Sequence, residues 1–194
     1  EKDKFLEKTS YLLFVFTFCF CGLSSAKDIK LEIDNYNKTL SNSSAKFIQS
    51  DGETIEEGIL YIGSDRIKID YNSPEITIVL SKKKGMYTNH GLKETQFFNT
   101  NKSLTKFFFD ILTGQNNFNN SDAEVSKKTI TIKNIFKFNE SLYKTEIIYE
   151  NNPISLKKIK LSKNNEKIEV GIFNITKSEK YNKDFFLLID PYLN

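Results

Sequence analysis

The chain has 194 residues, of which 39% are hydrophobic, and it carries a formal net charge of +3 at pH 7. This length predicts a single domain, and a net charge this small argues against binding to nucleic acid. Seventeen phenylalanines and nine tyrosines predict a substantial hydrophobic core rather than a polar linker protein.

Residues 1–26 have the pattern of a secretory signal peptide. A charged segment, Glu1 to Lys8, precedes an apolar run from Tyr11 to Cys21, and Ser24-Ser25-Ala26 supplies the small residues that a signal peptidase requires. The apolar run is short for a membrane span, although an uncleaved N-terminal anchor is the alternative. We expect cleavage after Ala26, which would leave residues 27–194 as one exported domain.

Both cysteines of the chain, Cys19 and Cys21, lie inside this segment, so the exported domain would have no thiol and no disulfide. A lipoprotein signal requires a small residue directly before the modified cysteine. Phe18 and Phe20 stand at those positions, so we expect neither cysteine to be acylated. His90 is the single histidine and is expected in a turn. We therefore expect no metal site of histidine and cysteine and no cofactor.

A helix and a strand are predicted directly after the signal segment. Apolar residues at helical spacing predict an amphipathic helix from Asp28 to Leu40. The next segment, Ser44 to Ser50, is predicted as a strand because the turn signal Asp51-Gly52 follows it. The apolar positions of the helix are Ile29, Ile33, Tyr36 and Leu40.

The clearest β pattern lies between residues 47 and 92. An apolar run fills the segment from Gly58 to Gly63, and Arg66 to Tyr71 alternates strictly between apolar and charged residues. Alternating apolar residues continue from Ile76 to Leu80. This alternation is typical of half-buried strands. The connections between the segments are short, which predicts antiparallel hairpins because a parallel return needs a long crossover.

The clearest helix is predicted from Ser103 to Gly114. Ser103 is a favourable N-cap, and Gly114 lies where glycine commonly follows the end of a helix. A single apolar stripe, widened by Phe109, must be covered by other residues, and packing against a sheet is the simplest interpretation. The stripe consists of Leu104, Phe107, Phe108, Ile111 and Leu112.

The second half of the chain returns to strands at regular spacing. A change of apolar phase at Lys157-Lys158 predicts a β-bulge. The whole pattern predicts a mainly β (α+β) fold, either an incomplete antiparallel barrel or a strongly curved sheet, with helices over its open concave face. The predicted strands are Thr129 to Lys133, Leu142 to Glu150, Ile154 to Leu161, Ile168 to Ile175 and Asp184 to Asp190.

Catalytic motifs are absent from the sequence. It contains no His-Glu-x-x-His, no glycine-rich phosphate loop and no Gly-x-Ser-x-Gly elbow. We therefore expect that the protein is not an enzyme. An acid pair such as Glu56-Glu57 leaves a hydrolase as an alternative, since a glycosidase needs only two well-placed carboxylates.

A series of short motifs follows a fixed order along the chain. They are Phe47-x-Gln49, Gly58 before an apolar strand, Ile67-Lys68-Ile69-x-Tyr71-x-x-Pro74, Ile78-Val79-Leu80, Gly85-x-Tyr87, Phe173-x-Ile175, Phe185-Phe186 and Asp190-Pro191. This order resembles the periplasmic outer-membrane lipoprotein carrier family (LolA-like proteins). That family commonly has Arg-Pro at the end of the strand that begins at Gly58. Gly63-Ser64 stands there in this chain, and tryptophan is absent, so a gating arginine cannot be transferred.

The resemblance implies a monomeric periplasmic carrier that shuttles acylated lipoproteins from the inner to the outer membrane. The implied partners are an inner-membrane ABC-type lipoprotein release complex as donor and an outer-membrane lipoprotein receptor as acceptor. The unacylated cysteines favour a soluble carrier over an anchored acceptor. A periplasmic lipoprotein-sensing or protein-binding module on the same scaffold is the alternative.

The carrier hypothesis requires an apolar cavity for acyl chains, and it makes the predicted helix of residues 103–114 a lid rather than an ordinary core element. Residues from three strands and this helix are candidates for the cavity and lid. The candidate lipid-binding residues are Leu60, Ile62, Ile67, Ile69, Tyr71, Ile78, Leu80, Phe107, Phe108 and Ile111.

The signal-peptide hypothesis predicts the processed N-terminus. When the full chain is expressed in a Gram-negative host, we expect the protein in the periplasmic fraction with Lys27 as its first residue, because cleavage would follow Ala26. N-terminal sequencing of the periplasmic protein measures this. Recovery of the uncleaved chain in the membrane fraction would identify the segment as an anchor instead.

Overall fold

The computed structural model describes residues 26–178 and 180–193. The predicted signal peptide, apart from Ala26, lies outside these residues, as do Glu179 and Asn194. None of the helices within the described ranges is both long enough and apolar enough to cross a membrane.

The described residues form a mainly β fold with two α-helices, α1 (Ala26–Thr39) and α2 (Thr105–Leu112). Two 3₁₀ turns, Thr100–Lys102 and Lys183–Phe186, accompany them. The strands are β1 (Ser43–Ser50), β2 (Ile55–Ile62), β3 (Arg66–Tyr71), β4 (Ile76–Ser81), β5 (Lys84–Asn89), β6 (Glu94–Asn99), β7 (Asp122–Val125), β8 (Thr129–Phe138), β9 (Ser141–Glu150), β10 (Ser155–Lys163) and β11 (Glu166–Lys177).

All eleven strands belong to one antiparallel sheet with the order β6-β5-β4-β3-β2-β1-β11-β10-β9-β8-β7. Consecutive strands pair as hairpins, as their short connections require, except for β6 and β7, between which α2 lies in the chain. The pairing of β1 with β11 joins the two halves of the chain in the middle of the sheet. The outermost strands, β6 and β7, do not pair with each other, so the sheet is not closed.

The predicted meander is confirmed in its register. Ile67 lies opposite Leu80 and Ile69 opposite Ile78, so these apolar residues share one face. Strand β3 has the predicted bounds. Strand β2 begins three residues earlier than predicted, at Ile55, because the polar residues that precede Gly58 pair with the end of β1. Alternation in the sequence could not show this extension, since backbone hydrogen bonds to β1 hold it.

Three strands, β5, β6 and β7, were not predicted from alternation in the sequence, and one predicted strand is wrong. Strands β6 and β7 are the edges of the sheet, and β7 has only four residues, so neither shows a recognisable apolar alternation. The strand predicted from Asp184 to Asp190 is instead the 3₁₀ turn Lys183–Phe186 followed by extended chain. There Arg66 Nη1 donates a hydrogen bond to the Phe186 carbonyl at 2.9 Å, which takes the place of strand pairing.

The predicted bulge in β10 is confirmed. The pairing of β10 with β9 shifts between Leu156 and Lys158. Because of the extra residue, Leu156 and Ile159 are both fully buried although their spacing breaks strict alternation.

One face of the sheet, hereafter the inner face, carries Phe47, Leu60 and Ile159 and packs with both helices into the main core. Helix α1 contributes the buried Ile33 to this core. It is fixed there by a buried hydrogen bond from Asn37 Nδ2 to Tyr149 Oη at 3.0 Å. The opposite, outer face carries a smaller cluster in which Val79 and Met86 pack against Phe186.

Helix α2 is shorter than the predicted range of residues 103–114. Ser103 is extended (φ −133°, ψ 151°) and its Oγ accepts a hydrogen bond from the Thr105 N–H at 3.2 Å, so it acts as the expected cap. Leu104 lies between them with helical dihedral angles. Gly114 has a φ of +66° and follows the helix as predicted.

The close approach of β2 and β3 at Gly58 predicts an unequal effect of two glycine substitutions. A Cβ atom at Gly58 would overlap the backbone carbonyl of Asp70 and come within 2.9 Å of the Phe47 ring. A carbonyl oxygen cannot move aside without breaking the ladder, so Gly58→Ala should lower the free energy of unfolding by about 1–3 kcal/mol or more.

Gly171→Ala in β11 is the matched control. Its nearest atom would be the Ile48 carbonyl oxygen at an ordinary 3.8 Å, so we expect no loss and a gain of up to about 1 kcal/mol. Urea unfolding of both variants measures the difference. Equal losses in the two variants would contradict the steric explanation.

Candidate functional site

A cavity of about 210 Å³, hereafter the central cavity, lies between the inner face of the sheet and α2. Its lining comes from strands β1 to β4, β10 and β11, from α2 and from the two residues that precede α2. The lining residues are Phe47, Gln49, Leu60, Ile69, Tyr71, Ile78, Leu80, Ser103, Leu104, Thr105, Phe108, Leu112, Ile159, Leu161, Ile168, Val170 and Ile172.

The central cavity requires a strongly curved sheet. Strands β4 and β10 are separated by four strands in the sheet order. In a flat sheet, five spacings of about 4.8 Å would place them about 24 Å apart. Ile78 of β4 and Ile159 of β10 nevertheless line the same small cavity, so the inner face is concave.

The lining is almost entirely apolar, and no charged residue of the described chain belongs to it. Its polar groups are partly satisfied by one another. Tyr71 Oη donates to Gln49 Oε1 at 3.2 Å, and Gln49 Nε2 donates to Glu56 Oε2 at 3.3 Å at the margin. The interior therefore offers apolar surface and few hydrogen-bonding groups, which suits a hydrocarbon ligand and gives little specificity for polar ones.

Tyr71 remains an uncharged hydrogen-bond donor in this cavity. Burial, together with the nearby negative charges of Glu56 and of Tyr87 when ionised, raises the pKa of Tyr71 to about 12. Desolvation disfavours the tyrosinate, so the phenol keeps its proton at every physiological pH.

Six of the ten residues predicted from the sequence line the central cavity. They are Leu60, Ile69, Tyr71, Ile78, Leu80 and Phe108.

The other four predicted residues lie elsewhere. Ile62 and Ile67 pair across β2 and β3 and, like Ile111 of α2, are 0–2% exposed within the core. Phe107 points to a neighbouring cleft, where its ring stacks on Phe136 at a centroid distance of 5.3 Å. Helical spacing alone cannot distinguish these positions, because residues of one apolar stripe lie in the core, in the central cavity and in the neighbouring cleft.

The second wall of the cavity was not predicted from the sequence. Ile159, Leu161, Ile168, Val170 and Ile172 come from β10 and β11. Their alternation did predict strands, but nothing local predicts that β11 pairs with β1, which brings this wall opposite β3 and β4.

The candidate catalytic groups named above do not converge on a site. Glu56 and Glu57 are neighbours on β2 and point to opposite faces, where Glu56 accepts from Gln49 and Glu57 accepts from Asn72. His90 lies in a turn as predicted, with Nδ1 2.8 Å from Tyr192 Oη. Among the described residues, no group of three or more histidine, cysteine or acidic side chains could hold a metal ion.

Comparison with protein-family models finds no match, and comparison with curated proteins finds none either. Among solved structures, an uncharacterized conserved protein from Thermus thermophilus is similar, with a TM-score of 0.51 and 8% identity. The match covers 84% of this chain and 93% of that chain. At this identity the similarity shows the fold alone.

Two crystal forms of PNGF-II show a weaker structural similarity to this chain. The TM-scores are 0.38 and 0.36, with 12% and 10% identity over 74% and 76% of this chain. This chain spans only 29–30% of the length of PNGF-II, and similarity at this level supports no argument about activity.

The raised pKa of Tyr71 predicts a pH-dependent contribution to stability. A group whose pKa is higher in the folded state than in the unfolded chain contributes stability below the unfolded value, near pH 10, and this contribution is lost as the pH rises toward about 12. Between pH 9 and pH 11.5, the free energy of unfolding of the wild type should therefore fall by about 2 kcal/mol more than that of Tyr71→Phe.

Urea unfolding of both proteins at the two pH values measures this difference. The comparison cancels the contribution of Tyr149, whose pKa is also raised by burial. Parallel losses in the wild type and in Tyr71→Phe would show that Tyr71 is not desolvated as the structure indicates.

Proposed function

We propose that this protein is a periplasmic carrier that binds the acyl chains of lipoproteins in the central cavity and shuttles them between membranes. The observation that carries the proposal is the apolar central cavity, whose described lining has no charged residue and which is bounded by the concave inner face and by α2. On this proposal the sheet is an incomplete barrel, and the two helices cover its open concave face.

The chemistry of the cavity supports an alkyl chain as the ligand. Each CH₂ group moved from water to an apolar surface contributes about 0.8 kcal/mol. For comparison, a cavity of about 150 Å³ that is lined by apolar side chains binds benzene. A cavity of about 210 Å³ therefore has room for a short alkyl segment. Ile69, Ile78 and Ile168 are only half-buried, which leaves apolar surface for a ligand to cover.

The order of motifs from Phe47 to Asp190-Pro191, which resembles the lipoprotein carriers, supports the same function. Transfer then requires only differences in affinity among donor, carrier and acceptor, with no chemical reaction. The donor would be an ABC-type release complex of the inner membrane, and the acceptor an outer-membrane lipoprotein receptor. A signal peptide at residues 1–26 would deliver the protein to the periplasm.

Access to the cavity would not depend on an arginine. Arg66 is on the outer face, where its Nη1 donates to the Phe186 carbonyl at 2.9 Å. It therefore faces away from the central cavity, in line with the replacement of the family's Arg-Pro by Gly63-Ser64. The start of α2 borders the cavity instead, through Leu104 and Phe108.

The alternatives of the sequence analysis predict other sites. A hydrolase would need two carboxylates facing one cleft, whereas Glu56 and Glu57 are held on opposite faces of β2. A sensing or protein-binding module would recognise the polypeptide of a lipoprotein as well as its lipid. Binding of acylated and non-acylated cargo therefore separates this alternative from the carrier.

A pair of isoleucine substitutions tests the cavity. Ile168 lines the central cavity, whereas Ile48 is 42% exposed on the outer face of the neighbouring strand β1. Ile168→Gln would place an amide against the bound alkyl chain, at a cost of about 1–3 kcal/mol. We expect Ile168→Gln to weaken binding of acylated lipoprotein tenfold or more, and Ile48→Gln to bind like the wild type.

Extraction of lipoprotein from donor membranes into a soluble complex provides the measurement, with a non-acylated version of the same cargo as a second control. The carrier should leave the non-acylated cargo unbound. Equal binding of the two cargo forms would overturn the acyl-chain mechanism and favour the protein-binding module. Equal binding by the two variants would remove the central cavity from the mechanism.

A further inference from the structure

A second cavity, of about 240 Å³ and hereafter the side cleft, lies on the other side of α2. The half-buried rings of Phe107, Phe136 and Phe138 form its apolar wall. Phe107 stacks on Phe136 at 5.3 Å, and Phe136 in turn stacks on Tyr143 at 5.7 Å, so the wall is a continuous aromatic row. These rings fix the shape of the cleft at the end of the β8–β9 hairpin.

The side cleft and the central cavity meet at the start of α2. Ser103 and Leu104 line both of them. The consecutive residues Phe107 and Phe108 then divide between the two, with Phe107 in the side cleft and Phe108 in the central cavity. The side chain of Leu104 therefore lies between the central cavity and the side cleft.

Neither cavity is large enough alone for a long alkyl chain. Ligand sites for molecules of drug size are typically about 300–1,000 Å³. The central cavity of about 210 Å³ lies below this range, as does the side cleft of about 240 Å³, whereas the two volumes joined fall within it.

The polar groups of the two cavities differ in a way that gives a ligand a direction. The central cavity has no charged lining residue among those described. The side cleft includes the amides of Asn101, Asn116 and Asn134 and the Lys106–Asp110 ion pair. A hydrocarbon end is therefore favoured in the central cavity, and a polar head in the side cleft.

We propose that the two cavities form one binding site for a long-chain amphiphile, divided by the side chain of Leu104. The methyl end of the chain occupies the central cavity, the chain passes the displaced Leu104 side chain, and the remaining methylene groups lie along Phe107, Phe136 and Phe138. This inference rests on the proposed function, and it adds a second subsite and a dividing residue to it.

Leu104 is placed so that it can move without unfolding α2. Its side chain is half-buried, and the helix begins one residue later, at Thr105. Its carbonyl still accepts the Phe107 N–H at 3.1 Å, a bond that a change of side-chain rotamer does not disturb.

The dependence of affinity on chain length tests the second subsite, with octanoic and hexadecanoic acid as probes measured by calorimetry below their aggregation concentrations. Octanoic acid should occupy the central cavity alone, and hexadecanoic acid should reach the side cleft. Phe136→Ser should lower the affinity for hexadecanoic acid at least tenfold and leave the affinity for octanoic acid within twofold of the wild-type value. Ile135→Ser is the matched control, because Ile135 is the neighbouring residue and is 60% exposed on the outer face.

The outcomes separate the two proposals. If neither acid binds the wild type, the carrier function fails, and the second subsite fails with it. Suppose that both acids bind the wild type. If Phe136→Ser then leaves the affinity for hexadecanoic acid unchanged, or lowers the affinity for both acids equally, only the second subsite is overturned. Phe138→Ser, nearer the end of the hairpin, repeats the test if thermal unfolding shows that Phe136→Ser does not fold.

Leu104→Ala tests the division between the cavities. Removing the side chain that separates them should raise the association rate of hexadecanoic acid severalfold in stopped-flow measurements, because the chain no longer has to displace it to reach both cavities. Equal association rates of hexadecanoic acid for Leu104→Ala and the wild type would overturn the role of Leu104.

Discussion

The pairing of β1 with β11 is the constraint on which the rest of the molecule depends. It sets Phe47 opposite Ile172 and Gln49 opposite Val170, joining a meander of the first half to a meander of the second. These strands come from opposite ends of the described chain, so their pairing costs a large loop-closure entropy before it contributes stabilising contacts. Without this pairing the inner face would be two separate surfaces, and the central cavity would have only one wall.

Once the halves are joined, the two helices cover the inner face in different ways. Helix α1 is fixed by buried contacts, including the Asn37–Tyr149 hydrogen bond and a bond from the Leu156 N–H to Tyr36 Oη at 3.0 Å. Helix α2 has only eight residues, and its first turn borders two cavities instead of filling them. Both helices therefore contribute to the core, but only α2 lies beside incompletely covered apolar surface, which is the property that a lipid carrier would need.

Contacts on the outer face support the sheet where its inner face borders the central cavity. The segment after β11 crosses this face, where Phe186 packs against Val79 and Met86. Lys68 Nζ lies 4.8 Å from the centroid of the Phe185 ring, a favourable cation–π contact. Because strict alternation puts Arg66 and Lys68 on this face, the same pattern that supplies apolar residues to the cavity removes the basic ones from it.

Local patterns in the sequence were enough to predict most of the individual elements. Alternation from Arg66 to Leu80 predicted β3 and β4 and their shared face, and the change of phase at Lys157-Lys158 predicted the bulge in β10. Spacing of 3.6 residues predicted both helices, and Ser103 and Gly114 marked the ends of the second. These features follow from backbone geometry and from the nearest neighbours in the chain, which a local pattern records.

Tertiary contacts determine which residues of these elements lie in the core and which line a cavity. The apolar residues of α2 look equivalent in sequence, yet Ile111 is core, Phe108 lines the central cavity and Phe107 lines the side cleft. The difference depends on which distant strands surround each side chain. Likewise, Asp184 to Asp190 has the composition of a strand, but it begins with a 3₁₀ turn and lies on the outer face, where Phe186 packs against Val79 and Met86. Pairing and curvature arise between residues far apart in the chain, so no local pattern contains them.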